Sequence, residues 1–251
     1  MSIEHIYTIE RNEPLTSKTR LLVLKGEEDC DIKPGQFVNI AVPGKYLRRP
    51  ISIHGYSASA RRLKLLYDVV GEGTEILSLM KSGEKLNILG ALGNGFNMPH
   101  TPQKVFLLGG GIGCAPLFYL AETLKSQGSE PIVIFGFNTA RDIYDVRSLY
   151  ERYSDIETHI ATVDGSKGVR GFVTDVIREK NLTADYFYAC GPMPMLRALC
   201  LNLDIPGEVS LESRMGCGFG ACMCCSLETK DGARRICKEG PVFKKEQLIW
   251  K

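Results

Sequence analysis

Apolar and polar residues alternate in short segments over the first hundred positions of the chain. Segments of this kind, which predict β-strands, lie at residues 5–9, 20–25, 37–42, 51–53 and 63–70. Proline and glycine turn signals separate several of them, and one short helix is predicted at 74–80, with Thr74 as its N-cap. Closely spaced strands with few helices are typical of a small antiparallel barrel, which we expect over residues 1–99.

A different pattern begins after the linker-like segment MPHTPQ (98–103). Apolar strands are predicted at 104–109, 131–137, 158–163 and 186–190, and they alternate with helices predicted at 117–127, 141–153, 172–180 and 194–202. This alternation indicates a doubly wound α/β domain with a parallel sheet over residues 100–208. The remaining residues, 209–251, are rich in glycine and cysteine and form an expected third module.

Length and charge exclude several classes of partner. The chain has 251 residues, enough for two modest domains, and its net charge of +2 gives no reason to expect nucleic acid. No basic and then apolar leader precedes the first strand, so we expect a cytoplasmic protein. The uncharged run VFLLGGGIGCAPLFYLA (105–121) approaches the length of a membrane span, but its four glycines and Pro116 favour a strand, a loop and a helix. We therefore expect no membrane association.

Two glycine-containing turns follow predicted strands and open predicted helices. The first is LGGGIGCAP (108–116), and the second lies in ACGPMPML (189–196). Because ligands of open α/β sheets bind at the carboxyl ends of the strands, both turns are candidates for a dinucleotide. A tight turn that needs a positive φ is the alternative for the first, since Pro116 falls where the standard fingerprint has its third glycine. The candidate residues are Gly109, Gly110, Gly111, Gly113, Cys190, Gly191 and Pro192.

The predicted barrel contains two candidate phosphate-binding segments. Arg49 and Ser52 in RRPISI (48–53) combine a guanidinium with a hydroxyl donor, but they face one ligand only at a bulge or a strand end, because alternate residues point to opposite sides. Gly73 and Thr74 begin the predicted helix, whose free N–H groups suit an anion. Taken singly, an ordinary surface arginine and an ordinary helix cap are the alternatives. Together the two segments suit the phosphates of a dinucleotide.

The chain has nine cysteines, and their spacing carries the most specific signal. Cys217, Cys222 and Cys225 follow the spacing C-x4-C-x2-C, and Cys237 follows after eleven intervening residues. This arrangement is typical of a plant-type [2Fe–2S] site with four thiolate ligands. A zinc site is the alternative, although structural zinc favours two paired knuckles and Cys237 stands alone. A disulfide framework is disfavoured by the odd count and the expected reducing compartment. Cys224 is interpreted as a non-ligand, and we expect the four scattered cysteines to serve in packing: Cys30, Cys114, Cys190 and Cys200.

Several of these segments resemble a known family. PGQF (34–37), Arg-Pro-Ile-Ser (49–52), GGGIGCAP and Cys-Gly-Pro resemble the ferredoxin–NADP reductase superfamily. More specifically, ESRMGCGFGACMCC (212–225), ICKEGPVF (236–243) and LGALGNGF (89–96) resemble the electron-transfer subunits of class 1B, NAD-dependent dihydroorotate dehydrogenases. The resemblance implies a barrel that binds FAD, a second domain that receives NAD(H), and a cluster that passes electrons to FMN in a separate catalytic subunit.

The resemblance also assigns residues and partners. The residues implied to contact FAD are Arg49, Pro50, Ile51, Ser52, Leu66, Tyr67, Asp68, Gly73 and Thr74. Ile51 stands where the superfamily usually has an aromatic residue. The implied assembly is a heterotetramer of two plus two subunits in pyrimidine biosynthesis. We expect this chain alone to oxidise NADH with artificial acceptors, and we assign no catalytic residue because we find no motif for dihydroorotate.

Two alternatives remain open at the level of the sequence. A reductase subunit of a hydrogenase or ferredoxin-dependent complex would share the fold and the cofactors, and a zinc-stabilised nucleotide-binding module would lack electron transfer. The choice of NAD over NADP rests on the resemblance, since GFNTARD (136–142) offers both Arg141 and Asp142.

Overall fold

The structure is a computed structural model that describes residues 4–144 and 155–250. Its first six strands form a closed barrel. They are β1 (Glu4–Pro14), β2 (Thr19–Lys25), β3 (Phe37–Ile40), β4 (Arg49–Ser57), β5 (Arg62–Asp68) and β6 (Lys85–Leu92), in the order β1-β2-β5-β4-β3-β6 with antiparallel pairing throughout. The helix α1 (Glu72–Leu79) precedes β6. The predicted barrel is confirmed.

The barrel closes because its strands alternate apolar side chains toward a common interior. Leu22 and Leu24 of β2 are fully buried there, and so are Leu63 and Leu65 of β5. The sequence analysis found five of the six strands and missed β6, in which Gly90 interrupts the apolar pattern. Without β6 the sheet could not close, since this strand pairs with both β1 and β3.

A seven-stranded sheet with helices follows the barrel. Its strands are β7 (Lys104–Gly110), β8 (Glu130–Phe137), β9 (Glu157–Thr162), β10 (Val169–Arg170), β11 (Tyr186–Cys190), β12 (Gly207–Ser210) and β15 (Val242–Lys244), in the order β10-β9-β8-β7-β11-β12-β15. All neighbours are parallel except β12 and β15. The helices are α2 (Ala115–Ser126), α3 (Val173–Glu179) and α4 (Met193–Asn202). The predicted α/β architecture is confirmed. Most of the helix predicted at 141–153 lies outside the described residues, and the described part begins with a 3₁₀ turn at Ala140–Asp142.

The cysteine-rich segment leaves this sheet and returns to it. The chain passes from β12 through the cysteines and a hairpin of β13 (Ser226–Thr229) and β14 (Gly232–Arg235) before it rejoins the sheet as β15. The expected boundary at 208/209 falls inside β12. In the ladder Ser210 lies opposite Val242, so the two ends of the excursion are neighbours.

Hydrogen bonds join the barrel to the sheet beside the first turn of α2. His54 Nδ1 of β4 lies 2.9 Å from the carbonyl oxygen of Ala115, and the Tyr119 hydroxyl donates to the Ile32 carbonyl at 3.0 Å. These contacts bring the β4 and β5 face of the barrel against the carboxyl edge of the sheet. No helix within residues 4–144 and 155–250 is long and apolar enough to cross a membrane.

Candidate functional site

The first candidate site is a cavity of about 390 Å³ between the barrel, the start of α2 and the end of β12. All of the residues expected to contact flavin except Gly73 line this cavity. They are Arg49, Pro50, Ile51, Ser52, Leu66, Tyr67, Asp68 and Thr74. Arg49 is the first residue of β4, where the strand begins, so it and Ser52 face the same cavity despite their odd spacing.

Gly73 contributes space rather than a contact to this flavin cavity. A Cβ atom added at Gly73 would overlap the guanidinium of Arg49, so glycine lets Arg49 lie directly against the first turn of α1. The Arg49 Nη1 donates to the Leu47 carbonyl at 2.5 Å. The arrangement places a fixed positive charge beside a helix N-terminus, and both features favour a phosphate.

Thr74 closes the turn before α1 rather than capping the helix. The helix begins at Glu72 with Gly71 as its N-cap, so the expectation that Thr74 is the N-cap was wrong. The Thr74 hydroxyl accepts from the backbone N–H groups of Val70 at 2.9 Å and Gly71 at 3.2 Å, and donates to the Gly71 carbonyl at 2.8 Å. A glycine at the cap leaves the helix N–H groups without a competing side chain.

Two carboxylates face the flavin cavity from opposite walls. Asp68 accepts a hydrogen bond from the Thr19 hydroxyl at 2.6 Å and lies 3.9 Å from Lys18 Nζ. Glu212, just after β12, lines the cavity and is exposed to solvent. The atoms of the surrounding cavity wall, followed by the charge of Asp68, raise the pKa of this carboxyl. This second wall was not predicted: Glu212, Ser213 and Met215 lie in the segment 212–225 that resembles the cluster module of the family, but nothing in the sequence associates that segment with the flavin. The residues of this wall are Ser210, Leu211, Glu212, Ser213, Met215 and Pro241.

The second candidate site is a cavity of about 420 Å³ at the carboxyl edge of the parallel sheet. Of the expected nucleotide residues, Gly110, Gly111 and Pro192 line it. Gly109, Gly113, Cys190 and Gly191 instead lie behind the wall, where the two turns pack against each other. A Cβ atom at Gly113 would meet the Cys190 carbonyl and the Gly191 backbone at 2.6 Å, so glycine is needed for this close approach.

The thiols behind this wall are inert packing groups. Cys114 and Cys190 are buried, as expected of small apolar residues. Burial raises the pKa of the Cys114 thiol well above its ordinary value and, with a smaller contribution from Glu212, raises the pKa of Cys190 to about 12. Neither thiol forms a thiolate near neutral pH, which excludes both from nucleophilic roles in this state.

Most of the nucleotide cavity is formed by residues that the sequence analysis did not select. These are Lys18, Gly136, Phe137, Asn138, Val163, Gly171, Phe172, Val173, Thr174, Pro194, Met195 and Ala198. Lys18 comes from the barrel, and its Nζ lies 3.5 Å from Asp142. Of the two alternatives at the end of β8, the described lining includes Asp142 and leaves out Arg141.

The third candidate site is formed by the cysteine loop (residues 214–225) and by Cys237, which follows the hairpin. Its four expected ligands divide into two pairs. The Cys217 Sγ accepts from the backbone N–H groups of Ala221 at 3.2 Å and Cys222 at 3.5 Å, and the Cys217 N–H points at the Cys222 Sγ at 3.4 Å. In the second pair the Cys237 N–H donates to the Cys225 Sγ at 3.4 Å. The first pair lies toward the surface and the second is buried.

Backbone donors and neighbouring sulfurs set the electrostatics of this loop. Burial acts to raise the pKa of Cys217, but N–H groups of Cys222, Phe219 and Ala221 outweigh it and lower this pKa to about 6. Burial and then the nearby Cys225 raise the pKa of Cys237 to about 12. The N–H donors around Cys217 therefore favour its thiolate, the form in which cysteine binds iron.

The four thiols suit a two-iron group better than a single ion. Two separate cysteine pairs with N–H groups aimed at sulfur fit a [2Fe–2S] cluster, which divides four thiolates between two irons. Cys224 lies outside both pairs; its exposed thiol is 3.7 Å from the Arg214 carbonyl.

Comparison with known proteins agrees with this geometry. Residues 212–249 match the family model of the iron–sulfur cluster binding domain of dihydroorotate dehydrogenase B, and residues 107–201 match that of the oxidoreductase NAD-binding domain. The iron–sulfur match favours the cluster over the zinc alternative. A solved NADH-dependent reduced ferredoxin–NADP oxidoreductase, studied for flavin-based electron bifurcation, superposes with a TM-score of 0.88 at 26% identity, covering 97% of this chain and 90% of that one. The expected cofactors, FAD, a [2Fe–2S] cluster and NAD(H), agree with these matches.

Sequence relatives identify the family. The dihydroorotate dehydrogenase B (NAD(+)) electron transfer subunit of Fusobacterium nucleatum is 39% identical over 249 residues, covering 94% of this chain and 95% of the relative. That of Clostridium acetobutylicum is 40% identical over 251 residues, covering 97% of each. With this similarity along nearly its whole length, the chain belongs to the family of dihydroorotate dehydrogenase B electron transfer subunits.

Proposed function

We propose that this chain carries electrons between NAD(H) and the FMN of a partner dihydroorotate dehydrogenase catalytic subunit, in pyrimidine biosynthesis. The observation that carries the proposal is that the three candidate sites adjoin one another. Ser210–Ser213 line the flavin cavity and lead within four residues to Cys217. Lys18 lies near both Asp68 of the flavin cavity and Asp142 of the nucleotide cavity.

Each site has a distinct task in this relay. Arg49 and the first turn of α1 would hold the FAD pyrophosphate, and the strand residues around Ser52 and Tyr67 would hold the rest of the flavin. Asp142 would accept a hydrogen bond from the adenine-side ribose of NAD(H), which favours NAD over NADP. When bound, the flavin supplies the conversion between the two-electron chemistry of NADH and the one-electron chemistry of the cluster.

The cluster ligands are Cys217, Cys222, Cys225 and Cys237 in this proposal. Each Cys→Ser change should abolish or strongly alter the electron paramagnetic resonance signal of the reduced cluster, because it removes a thiolate ligand. Cys224→Ser is the matched control and should leave the signal nearly intact. A cluster that is lost on Cys224→Ser but kept on Cys225→Ser would reverse the assignment.

The partner is an FMN-containing catalytic subunit, in a cytoplasmic heterotetramer of two plus two subunits. Phe219 and Met223 are about half exposed, at 48% and 52%, on the cysteine loop, and they offer an apolar contact beside the cluster. Residues 212–251 contain eight Lys/Arg and five Asp/Glu. This modest excess is too small for strong electrostatic steering, so docking should depend on packing and only mildly on salt.

The test compares the activities of this chain alone with those of the chain mixed with its partner. Alone, and loaded with FAD and cluster, it should oxidise NADH with artificial electron acceptors and show no NAD-dependent turnover of dihydroorotate. Addition of the FMN-containing subunit should restore that turnover. Substantial dihydroorotate turnover by this chain alone, with the partner absent by mass spectrometry, would overturn the assignment of roles.

A ferredoxin-linked reductase is the second candidate function. It is favoured by the similarity, over nearly the whole chain, to the NADH-dependent ferredoxin–NADP oxidoreductase. The same preparation distinguishes the two: rapid reduction of ferredoxin with NADH or NADPH, together with no stimulation by the dihydroorotate dehydrogenase subunit, would favour the second.

A further inference from the structure

A buried asparagine lies between the flavin cavity and the cysteine loop. Asn39 is in β3 of the barrel, has 1% of its surface exposed, and donates from Nδ2 to the Cys217 carbonyl at 3.2 Å. Its Oδ1 is buried and finds no hydrogen-bond partner among the described residues. The contact joins residues 178 positions apart in the chain, and so connects the barrel to the cysteine loop.

Packing alone does not account for an asparagine at this position. The adjacent strand residues Val38 and Ile40 point into the barrel, where they are buried among apolar side chains. Asn39 points to the other face, which the cysteine loop covers. A buried amide with an unpartnered oxygen is unfavourable relative to an apolar residue of similar size. Its presence is therefore best explained by the hydrogen bond it makes.

The cysteine loop is shaped to receive this side chain. Gly218, the residue after Cys217, has a φ of +80°, and a Cβ atom there would overlap the Asn39 Nδ2. Glycine at 218 therefore satisfies both the left-handed backbone and the close approach of the amide. The contact therefore depends on two residues. Asn39 of β3 supplies the buried donor, and Gly218 of the cysteine loop leaves room for it.

The same strand reaches the flavin cavity. Phe37 lies two residues before Asn39 on the same face of β3, about 7 Å along the strand, and it lines the flavin cavity. On the neighbouring strand β4, Pro50 lies opposite Asn39 in the ladder and also lines that cavity. Asn39 is thus hydrogen-bonded to a proposed cluster ligand, and it is also paired in the sheet with a residue that lines the flavin cavity.

We infer that Asn39 is a positioning residue that fixes the cysteine loop, and with it the cluster, at a set distance and orientation from the flavin. This inference rests on the proposed relay. The rate of electron transfer between two bound groups depends on the distance and the relative orientation at which the protein holds them. The hydrogen bond from Asn39 to Cys217 holds the outer cysteine pair, which has fewer buried contacts than the inner pair.

Another asparagine, Asn94, provides a matched control, because it contacts the cluster module (residues 209–251) near its return to the sheet rather than at Cys217. Asn94 donates from Nδ2 to the carbonyl oxygens of Glu239 at 2.9 Å and Val242 at 3.0 Å, and its Oδ1 accepts from the Val242 N–H at 3.1 Å. These bonds anchor the chain after Cys237 rather than the loop at Cys217. Asn94→Ala should therefore lower the stability of the module without changing the outer pair.

The test compares Asn39→Leu with Asn94→Ala in the full chain loaded with FAD and cluster. In Asn39→Leu we expect normal FAD content, an altered line shape of the reduced cluster in electron paramagnetic resonance, and a lower rate of cluster reduction after mixing with NADH. Hydrogen exchange of the amides at 217–220 should accelerate in this variant. Asn94→Ala should keep the line shape and the rate of the parent.

Unchanged rate, line shape and hydrogen exchange in Asn39→Leu would overturn the inference. Should Asn39→Leu lose its cluster, Asn39→Ser, which removes the contact but keeps a small polar side chain, decides the matter by the same three measurements. An equal loss of rate in Asn39→Leu and Asn94→Ala would also contradict it, since that would reflect general loosening. Failure of the parent chain to reduce its cluster with NADH would instead contradict the proposed relay itself.

Discussion

The flavin cavity and the nucleotide cavity adjoin each other but are built in different ways. Strand side chains form much of the flavin cavity and include the charged groups Arg49 and Asp68, while Glu212 adds a third charged group from the loop after β12. The nucleotide cavity is formed by turns and helix starts, with much backbone and with apolar side chains such as Val163 and Phe172, which are 44% and 61% exposed. The two cavities are similar in volume, at about 390 and 420 Å³.

This difference indicates how each site treats its ligand. Strands of a closed barrel hold their side chains rigidly, and charge-assisted hydrogen bonds are strong, so the flavin cavity suits a cofactor that stays bound. A cavity with exposed apolar side chains and few charged groups suits a substrate that binds, reacts and leaves. Substitutions in the flavin cavity should therefore affect the retention of FAD, and substitutions in the nucleotide cavity should affect the affinity or specificity for NAD(H).

The largest expected effect is on retention of FAD. Arg49→Ala removes a charge-assisted phosphate contact worth about 1.5–3 kcal/mol, which corresponds to a loss of FAD affinity of about ten- to a hundredfold. The measurement is FAD released on dilution, followed by its fluorescence. Arg62→Ala is the control, because Arg62 lies on β5 of the same barrel and pairs with Glu10 on the surface. Equal release from both variants would refute a specific role for Arg49.

A somewhat smaller effect is expected from tightening the wall of the nucleotide cavity. Gly113→Ala places a Cβ atom against the Cys190 carbonyl and the Gly191 backbone, and overpacking of this kind costs about 1–3 kcal/mol of stability. The KM for NADH should rise while FAD content stays normal. Gly55→Ala is the control, since a Cβ atom there meets only Lys64 at 3.8 Å. Parent-like NADH affinity in Gly113→Ala would contradict the packing role.

A smaller effect is expected on the discrimination between NADH and NADPH. Asp142→Asn keeps the size of the side chain but weakens its acceptor, so NADH binding should weaken by about 0.5–1.5 kcal/mol, while the preference for NADH over NADPH narrows. The ratio of kcat/KM for the two nucleotides measures this. Arg141→Gln should leave the ratio unchanged. A marked loss of NADPH activity in Arg141→Gln would instead identify Arg141 as a ligand of the 2′-phosphate.

The smallest expected effect is a pH dependence that arises in the flavin cavity. The cavity wall and then the charge of Asp68 raise the pKa of Glu212 above its ordinary value of 4.5. The folded chain therefore favours the protonated form, and because the side chain is exposed to solvent the effect on stability should be small. Ionisation of Glu212 therefore opposes folding once the pH rises through 4.5 toward the higher pKa of the folded state. Glu212→Gln should raise the midpoint of thermal unfolding of the FAD-free chain near neutral pH and leave it unchanged below pH 4.5. Equal midpoints at every pH would show that Glu212 ionises freely.

The two cavities also differ in how far the sequence could predict them. The flavin residues on β4 and β5 could be named because their segments resemble those of a known family, whereas strand alternation alone would have placed Arg49 and Ser52 on opposite sides. In the nucleotide turns the conspicuous residues were glycines, and a glycine such as Gly113 is required by the approach of another segment rather than by the ligand. The side chains that line that cavity, such as Asn138 and Phe172, belong to no motif.

Short elements with long-range partners explain the remaining differences. The strands β12 and β15 have four and three residues, too few to establish a period, and each is stabilised by its neighbour in the sheet. The second wall of the flavin cavity depends on β12, so it could not be predicted either. Likewise nothing near Asn39 in the sequence indicates that Cys217 lies beside it.

Because the chain returns to the sheet at β15, residues 211–241 form an insertion between two neighbouring strands of that sheet. The excursion leaves after Ser210 and re-enters at Val242, two residues that are paired in the ladder, and the Leu211 N–H donates to the Pro241 carbonyl at 2.9 Å where the excursion closes. Insertions are tolerated best where entry and exit points already lie together. A flavin reductase of this architecture could therefore gain an iron–sulfur centre by a single insertion at one sheet edge, and residues at the two ends of that insertion, such as Leu211, Glu212 and Pro241, would complete one wall of the flavin cavity.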